Sequence, residues 1–82
     1  MDIVFKSTPD NWKKEYLGLK RNTVRSFADD FDDIRRKTLD DYRMGIINIL
    51  VVVIVNANNP VERFEKEITD VTFFDGYYII SW

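Results

Sequence analysis

The spacing of apolar residues along the chain predicts alternating strands and helices. Ile3–Lys6 is short and apolar, which is typical of an opening strand. Trp12, Tyr16 and Leu19 recur at helical spacing and are expected to face the core, with Thr8 placed as the N-cap. We therefore predict a helix over Pro9–Leu17 that stops at Gly18, because glycine accepts the left-handed conformation that follows a helix.

A second strand and a second helix follow. Asn22–Phe27 lacks helical periodicity and is predicted as a strand, with alternate residues on one face. Asp29–Arg43 has the pattern of a helix whose first turn is acidic and whose later turns are basic, an order that complements the helix dipole. We interpret the aspartates as structural, and predict no metal site. The predicted apolar stripe of this helix contains Phe31, Ile34, Thr38 and Tyr42.

The second half of the chain is predicted to be entirely β-structure. Ile46–Val55 is β-branched and almost uninterrupted, which is typical of a strand that needs cover on both faces, from a helix or from a second chain. The Asp75-Gly76 pair predicts a two-residue hairpin. The remaining predicted elements are a turn over Asn56–Pro60, a strand over Val61–Phe74 with a bend near Thr69-Asp70, and a strand over Tyr77–Trp82.

The predicted order of elements is β-α-β-α-β-β-β within a single domain over residues 1–82. This order predicts an α+β fold: a small antiparallel β-sheet or partial barrel with two helices. The last three strands are expected to form an antiparallel meander.

The amino-acid composition excludes several kinds of site and reaction. The 82 residues include neither cysteine nor histidine, which excludes disulfides, Cys/His zinc sites and catalysis through an imidazole or a thiol. The longest apolar run, Ile49–Val55, is much shorter than the ~20 residues of a membrane helix, and no signal-peptide pattern is present. We therefore expect a cytoplasmic protein without membrane contact and without a cofactor.

One group of polar residues near the first helix suggests a binding site. Gly18, Lys20, Thr23 and Arg25 form the pattern G-x-K-x-x-T-x-R, and residues 1–25 carry six basic against three acidic side chains. The glycine allows a sharp turn, while a hydroxyl and a guanidinium project from the same strand face. This arrangement predicts a site for an anion or a nucleobase. The alternative is a glycine cap beside ordinary surface ion pairs.

This pattern resembles the motif of the ASCH domains, a branch of the PUA-like fold, in which it follows the first helix. The resemblance implies a small β-barrel whose cleft binds RNA or a nucleotide, with Gly18, Lys20, Thr23 and Arg25 as ligand-binding residues. One enzymatic branch hydrolyses the amide of acetylated cytidine. For that branch the resemblance implies that Lys20 and Thr23 are catalytic, assisted by an acid from the later strands. The candidates for that acid are Glu65, Glu67, Asp70 and Asp75.

The whole chain also resembles short uncharacterised proteins of phages and prophages of Gram-positive bacteria, in the stretches FKSTP, NTVR and EITDVTFFDGYYIISW. This resemblance implies, as an alternative function, a non-catalytic protein that binds and modulates a host protein in the host cytoplasm. Alternation in the last strand places Tyr78, Ile80 and Trp82 towards the core. Tyr77 and Ile79 would then lie on the opposite face, available to a base or another protein, and a homodimer is a further prediction.

Overall fold

The computed structural model describes residues 1–82 and contains two helices and six strands, so the predicted α+β fold class is confirmed. In chain order the elements are β1 (Asp2–Ser7), α1 (Pro9–Tyr16), β2 (Asn22–Ser26), α2 (Ile34–Arg43), β3 (Val51–Asn56), β4 (Asn59–Glu67), β5 (Asp70–Phe74) and β6 (Tyr77–Ser81).

The six strands form two three-stranded sheets. Sheet A has the order β1-β3-β4, in which β1 and β3 are parallel and β3 and β4 are antiparallel. Sheet B has the order β2-β6-β5 and is antiparallel throughout. The parallel pairing of β1 with β3 requires a long crossover, and α1, β2 and α2 together supply it.

The predicted meander of the last three strands is wrong. The predicted strand Val61–Phe74 is two strands, because the chain leaves sheet A and enters sheet B between β4 and β5. At this step the Ile68 N–H donates to the Leu50 carbonyl oxygen, while the next N–H, of Thr69, donates to the Ser81 carbonyl oxygen. The bend expected near Thr69-Asp70 is therefore the passage between the two sheets.

One hydrophobic core lies between the sheets and the helices. Tyr78 and Ile80 point into it as predicted, and Trp82 is half-buried beside it. Trp12 attaches α1 to sheet A, because its indole N–H donates to the Ile54 carbonyl oxygen at 3.1 Å. The buried members of the core are Ile3, Phe5, Trp12, Phe27, Leu39, Leu50, Val52, Ile54, Ile68, Val71, Tyr78 and Ile80.

Helix α1 matches its predicted bounds to within one residue. Trp12 faces the core as predicted, but Tyr16 is 56% exposed, and Leu19, which lies beyond the end of the helix, is 78% exposed. Pro9 occupies its first turn, where the missing N–H of proline costs no hydrogen bond. Thr8 lies at the N-cap as predicted, but its side chain makes no capping hydrogen bond.

Helix α2 begins five residues later than the predicted Asp29–Arg43. The aspartates before Asp33 lie in turns, and Asp33 itself is the N-cap, where its carboxylate accepts the Arg35 N–H at 2.9 Å. The predicted acidic first turn is therefore absent, because the acidic residues precede the helix and one of them caps it. Neither α1 nor α2 combines the length and the apolar character that crossing a membrane requires.

The inward face of α2 matches the predicted stripe at Thr38 and Tyr42 but not at Phe31 and Ile34. Phe31 and Ile34 are 66% and 71% exposed, so they do not join the core. The buried residues of the helix are Thr38 and Leu39, and Leu39 is fully enclosed. The late start of the helix accounts for Phe31, which lies before the helix, and it leaves Ile34 as the first residue of the helix.

Strand β3 is central in sheet A and is covered by its own chain. It starts at Val51 rather than at the predicted Ile46. Val53 and Val55 point away from the core but are only 5% and 4% exposed. Each of them is paired with one residue of β1 and one residue of β4, whose side chains lie on the same face of the sheet. Side chains of the edge strands can cover a central strand in this way, so the burial of β3 requires no second chain.

Candidate functional site

The turn between α1 and β2 positions the residues of the sequence motif. Gly18 has φ = +77°, a left-handed conformation that glycine adopts without steric cost. The Gly18 N–H donates to the Glu15 carbonyl oxygen and the Leu19 N–H donates to the Lys14 carbonyl oxygen, the pair of bonds that defines a Schellman cap. The chain thus reverses within a few residues and delivers Lys20 to the start of β2.

Lys20, Thr23 and Arg25 line one cavity of about 230 Å³, which lies between α1, β1 and β2. Thr23 and Arg25 are two residues apart on β2, so their side chains project from the same face of the strand. Gly18 is not among the lining residues. The complete lining is Lys6, Ser7, Thr8, Asn11, Glu15, Lys20, Thr23, Val24 and Arg25.

Arg25 links the two sheets across this cavity. Its Nε donates to Thr23 Oγ1 at 2.9 Å within β2. Its two terminal nitrogens donate to β1, one to the Lys6 carbonyl oxygen at 2.8 Å and the other to Ser7 Oγ at 3.0 Å. The guanidinium carbon also lies 4.9 Å from the centre of the Phe5 ring, a cation–π distance. These contacts use three of the five N–H donors of the guanidinium, and two remain.

Glu15 places a buried carboxylate at the cavity. The residue is 1% exposed, and neither carboxylate oxygen has a hydrogen-bond partner. Glu15 forms no salt bridge, and its charge acts on Arg25 without direct contact. Burial lowers the pKa of the Arg25 guanidinium, while the negative charge of Glu15 acts in the opposite direction.

Sequence reasoning missed Glu15 and selected other acids. None of Glu65, Glu67, Asp70 and Asp75 lines the cavity. Glu15 comes from the helix that precedes the motif rather than from the later strands. The signal that identifies it is its spacing: Glu15 lies three residues after the core residue Trp12, on the buried face of α1, where a charged side chain is rare.

A second surface is apolar and lies on the outer face of sheet B, away from the core. Cross-strand pairing places Val24 beside Ile79, and Tyr77 beside Phe74. Phe74 is 75% exposed, and Val24 and Tyr77 are about half exposed, so the face predicted to be available to a partner is solvent-accessible. A cavity of about 250 Å³ with several aromatic side chains, including Phe31, adjoins it.

Comparison of the chain with protein-family models, with curated proteins and with solved structures finds no match. The resemblance to ASCH domains and to phage proteins therefore stays a prediction, and the site is interpreted from its own geometry.

Proposed function

We propose that this protein binds a nucleotide, free or as part of single-stranded RNA, in the cavity beside α1. The observation that carries the proposal is that Lys20, Thr23 and Arg25 line one cavity, at which two N–H groups of Arg25 have no partner in the protein.

The cavity offers both donors and acceptors to such a ligand. The two free N–H groups of Arg25 and the ammonium of Lys20 can donate to carbonyl or phosphate oxygens. Hydroxyl groups of Ser7, Thr8 and Thr23 can donate or accept. This mixture suits the polar edge of a nucleobase better than it suits an apolar molecule.

Size and charge favour a small polar ligand over a nucleic-acid duplex. About 230 Å³ is slightly below the range of roughly 300–1,000 Å³ for drug-sized ligands. The formal net charge of the chain is −2, whereas duplex binding depends on a broad basic surface that neutralises many phosphates. We therefore expect recognition of a single nucleotide.

The test is a titration of ¹⁵N-labelled protein with nucleoside monophosphates and short single-stranded RNAs, followed by NMR. We expect shifts of backbone resonances that cluster in residues 6–8 and 11–25, and weakened binding in Lys20→Ala. Lys66→Ala is the matched control, because Lys66 is an exposed lysine of β4 outside the cavity. The proposal fails if no resonance of these segments moves at millimolar ligand.

Incubation with acetylated cytidine separates binding from hydrolysis in the same preparation. Thr23 is 3% exposed and its hydroxyl oxygen accepts a hydrogen bond from Arg25, so the residue has a structural contact whether or not it reacts. Acetate release by the wild type that is lost in Lys20→Ala would support an amidohydrolase. Equal product from both proteins would dismiss it.

A second candidate function is the binding of a host protein through the outer face of sheet B. The exposed apolar side chains of Val24, Phe74 and Tyr77 favour it, because contiguous exposed apolar surface marks interaction sites in soluble proteins. This function is compatible with the first, since Phe74 and Tyr77 do not line the polar cavity and only Val24 borders both surfaces.

Affinity capture from a lysate of a Gram-positive bacterium tests this second candidate. We expect a specific host protein to be retained by the wild type and lost with Phe74→Asp. Val61→Asp is the matched control, since Val61 is 87% exposed and lies on β4 of the other sheet. Retention of the same proteins by all three baits would contradict this function.

A further inference from the structure

The two edges of sheet A differ in how their backbone groups are covered. The edge strands of this sheet are β1 and β4. On β1, the Val4 and Lys6 carbonyl oxygens accept hydrogen bonds from the guanidinium groups of Arg35 and Arg25, each at 2.8 Å. On β4, the one side-chain hydrogen bond lies within the strand, and every residue except Phe64 is exposed. An edge strand without cover is a template for pairing with another chain, so β4 is the edge of sheet A at which a partner can bind.

The free backbone groups of β4 belong to its odd-numbered residues. One residue beyond the paired strands, the Ile68 N–H donates to the Leu50 carbonyl oxygen. Hydrogen-bonded pairs recur at every second residue of an antiparallel ladder, so the even-numbered residues of β4 direct their N–H and C=O groups towards β3. The same groups of Arg63 and Glu65 therefore point away from β3, along the free edge.

We propose that two copies of this chain form a homodimer in which their β4 strands pair antiparallel about a two-fold axis centred on Phe64. The two copies of sheet A then become one continuous sheet. In this register Arg63 lies opposite Glu65 of the second copy, and Glu62 lies opposite Lys66. Each pair occurs twice, because the two-fold axis repeats every contact. All four charged residues of the segment thus lie opposite a residue of opposite charge.

Electrostatics selects this register among the alternatives. Both members of a new hydrogen-bonded pair must be odd-numbered, so the two-fold axis has to pass through a residue of β4 rather than between two residues. An axis through Glu62, Arg63, Glu65 or Lys66 would place that residue directly opposite its own copy, and like charges in this position are destabilising. Phe64 is the one uncharged residue within 62–66. None of these charged side chains forms a salt bridge within the chain, so all are available to the second copy.

The centre of the proposed interface is aromatic. Phe64 pairs with the buried Ile54, so its side chain is on the core face of the sheet, where it is half-buried. Its ring centre lies 6.0 Å from that of Trp12 and 5.9 Å from that of Tyr16, which is 56% exposed. Pairing brings the two Phe64 side chains together on this face and extends the aromatic cluster across the axis. An apolar centre within a charged rim is the usual anatomy of a protein interface.

Dimerisation through β4 is independent of the proposed nucleotide site, because no residue of β4 lines the polar cavity. It also differs from a dimer that covers β3, since β3 is already covered within its own chain.

The experiment is sedimentation equilibrium of the full chain over about 1–500 μM, because small interfaces associate weakly. We expect a monomer–dimer equilibrium for the wild type. Arg63→Glu places a glutamate opposite Glu65 at two symmetric positions and should raise the dissociation constant at least about tenfold. The double variant Arg63→Glu, Glu65→Arg restores opposite charges across the axis and should recover the dimer. Lys14→Glu is the matched control, because it makes the same change of charge at an exposed lysine of α1 and should leave the equilibrium unchanged.

Amide hydrogen exchange of the wild-type protein locates the interface without any variant. We expect the Arg63 and Glu65 amides to be protected at high protein concentration and to exchange rapidly on dilution, because only the second copy supplies their acceptors. The Phe64 and Lys66 amides face β3 and should stay protected at both concentrations.

Three results would overturn the proposal. One is a monomer at every concentration, which would mean that the β4 edge stays free. The second is a dimer that Arg63→Glu leaves intact or that the double variant does not recover, which would place the contact elsewhere or in another register. The third is protection of the Arg63 and Glu65 amides that does not depend on protein concentration.

Discussion

Replacement of Arg25 by alanine tests the structural role of this residue. Arg25 donates three hydrogen bonds, two of which connect β2 to β1 and therefore sheet B to sheet A. Its guanidinium also lies on the Phe5 ring. Alanine removes all four interactions and leaves the Lys6 carbonyl oxygen and the Ser7 hydroxyl at the edge of the cavity without their donor.

The magnitude follows from these contacts. Hydrogen bonds to a charged group contribute about 1.5–3 kcal/mol each when buried, and a cation–π contact contributes about 0.5–1 kcal/mol when exposed. The guanidinium is only half-buried, so each value is reduced by solvent, and we expect a total loss of about 2–4 kcal/mol. A domain of this size has roughly 4–12 kcal/mol of stability, so the loss is a large fraction of the whole.

Urea denaturation followed by tryptophan fluorescence measures this change. Arg25→Lys keeps the charge but cannot reach three acceptors, and should fall between the wild type and the alanine variant. Lys20→Ala is the control at the same cavity, because the Lys20 side chain makes no hydrogen bond or salt bridge, and its stability should stay within about 0.5 kcal/mol of the wild type. A loss below about 1 kcal/mol in Arg25→Ala would refute the assignment of Arg25 as the link between the sheets.

Three other substitutions test the fold and the cap. Tyr78→Phe removes the hydroxyl that donates to Asp40 at 2.6 Å and should cost about 1–2 kcal/mol in the free energy of unfolding. Burial, and then the hydrogen bond to Asp40, raise the pKa of Tyr78 above its usual value of about 10. The stabilisation from this hydroxyl is therefore fully present below about pH 10 and is lost as the pH rises through the folded-state pKa; denaturation at alkaline pH should show this decline in the wild type and not in Tyr78→Phe. Leu39→Ala should lower the free energy of unfolding by about 2–5 kcal/mol, because Leu39 is fully enclosed, and a loss below 1 kcal/mol in urea denaturation would contradict its place in the core. Gly18→Ala should cost only about 1 kcal/mol, because a Cβ at this position meets no atom within 4 Å and the cost is confined to the positive φ; nucleotide affinity measured by NMR should not change, and a large loss of affinity would mean that Gly18 contacts the ligand.

Local rules were sufficient to predict most of the elements. Helix α1 follows from Pro9 and from the apolar periodicity that begins at Trp12, and the β5–β6 hairpin follows from Asp75-Gly76, where the aspartate has φ = +52° and the glycine φ = +81°. Both features depend on a few neighbouring residues, which is why the sequence alone identifies them.

Features that depend on distant contacts could not be predicted. Several aspartates before α2 are equally good N-caps by composition, and only the position of the helix against the core selects Asp33. The division of the predicted strand Val61–Phe74 is decided by which strands its two halves pair with, and those are β3 and β6. Pairing of this kind is a property of the whole fold.

The candidate site also combines residues that local rules predict with one residue that they do not. Thr23 and Arg25 could be predicted to lie side by side because the alternation of side chains along a strand is local. Lys20 could be predicted to lie near them because a glycine turn precedes β2. Glu15 was missed because a charged residue in an amphipathic helix is ordinarily assigned to the solvent side. Helix α1 packs against β1 and β3, and this packing, which distant parts of the chain supply, decides which of its side chains are buried.

The positions of the strands in the two sheets have a consequence for how the chain folds. Both strands of the first half, β1 and β2, are edge strands, and they belong to different sheets. The central strands that they need, β3 and β6, are both in the second half of the chain. A nascent chain of the first 50 residues therefore contains none of the strand pairs of the native sheets, so native assembly must wait for the later residues to be synthesised and should then proceed slowly and in a single cooperative step.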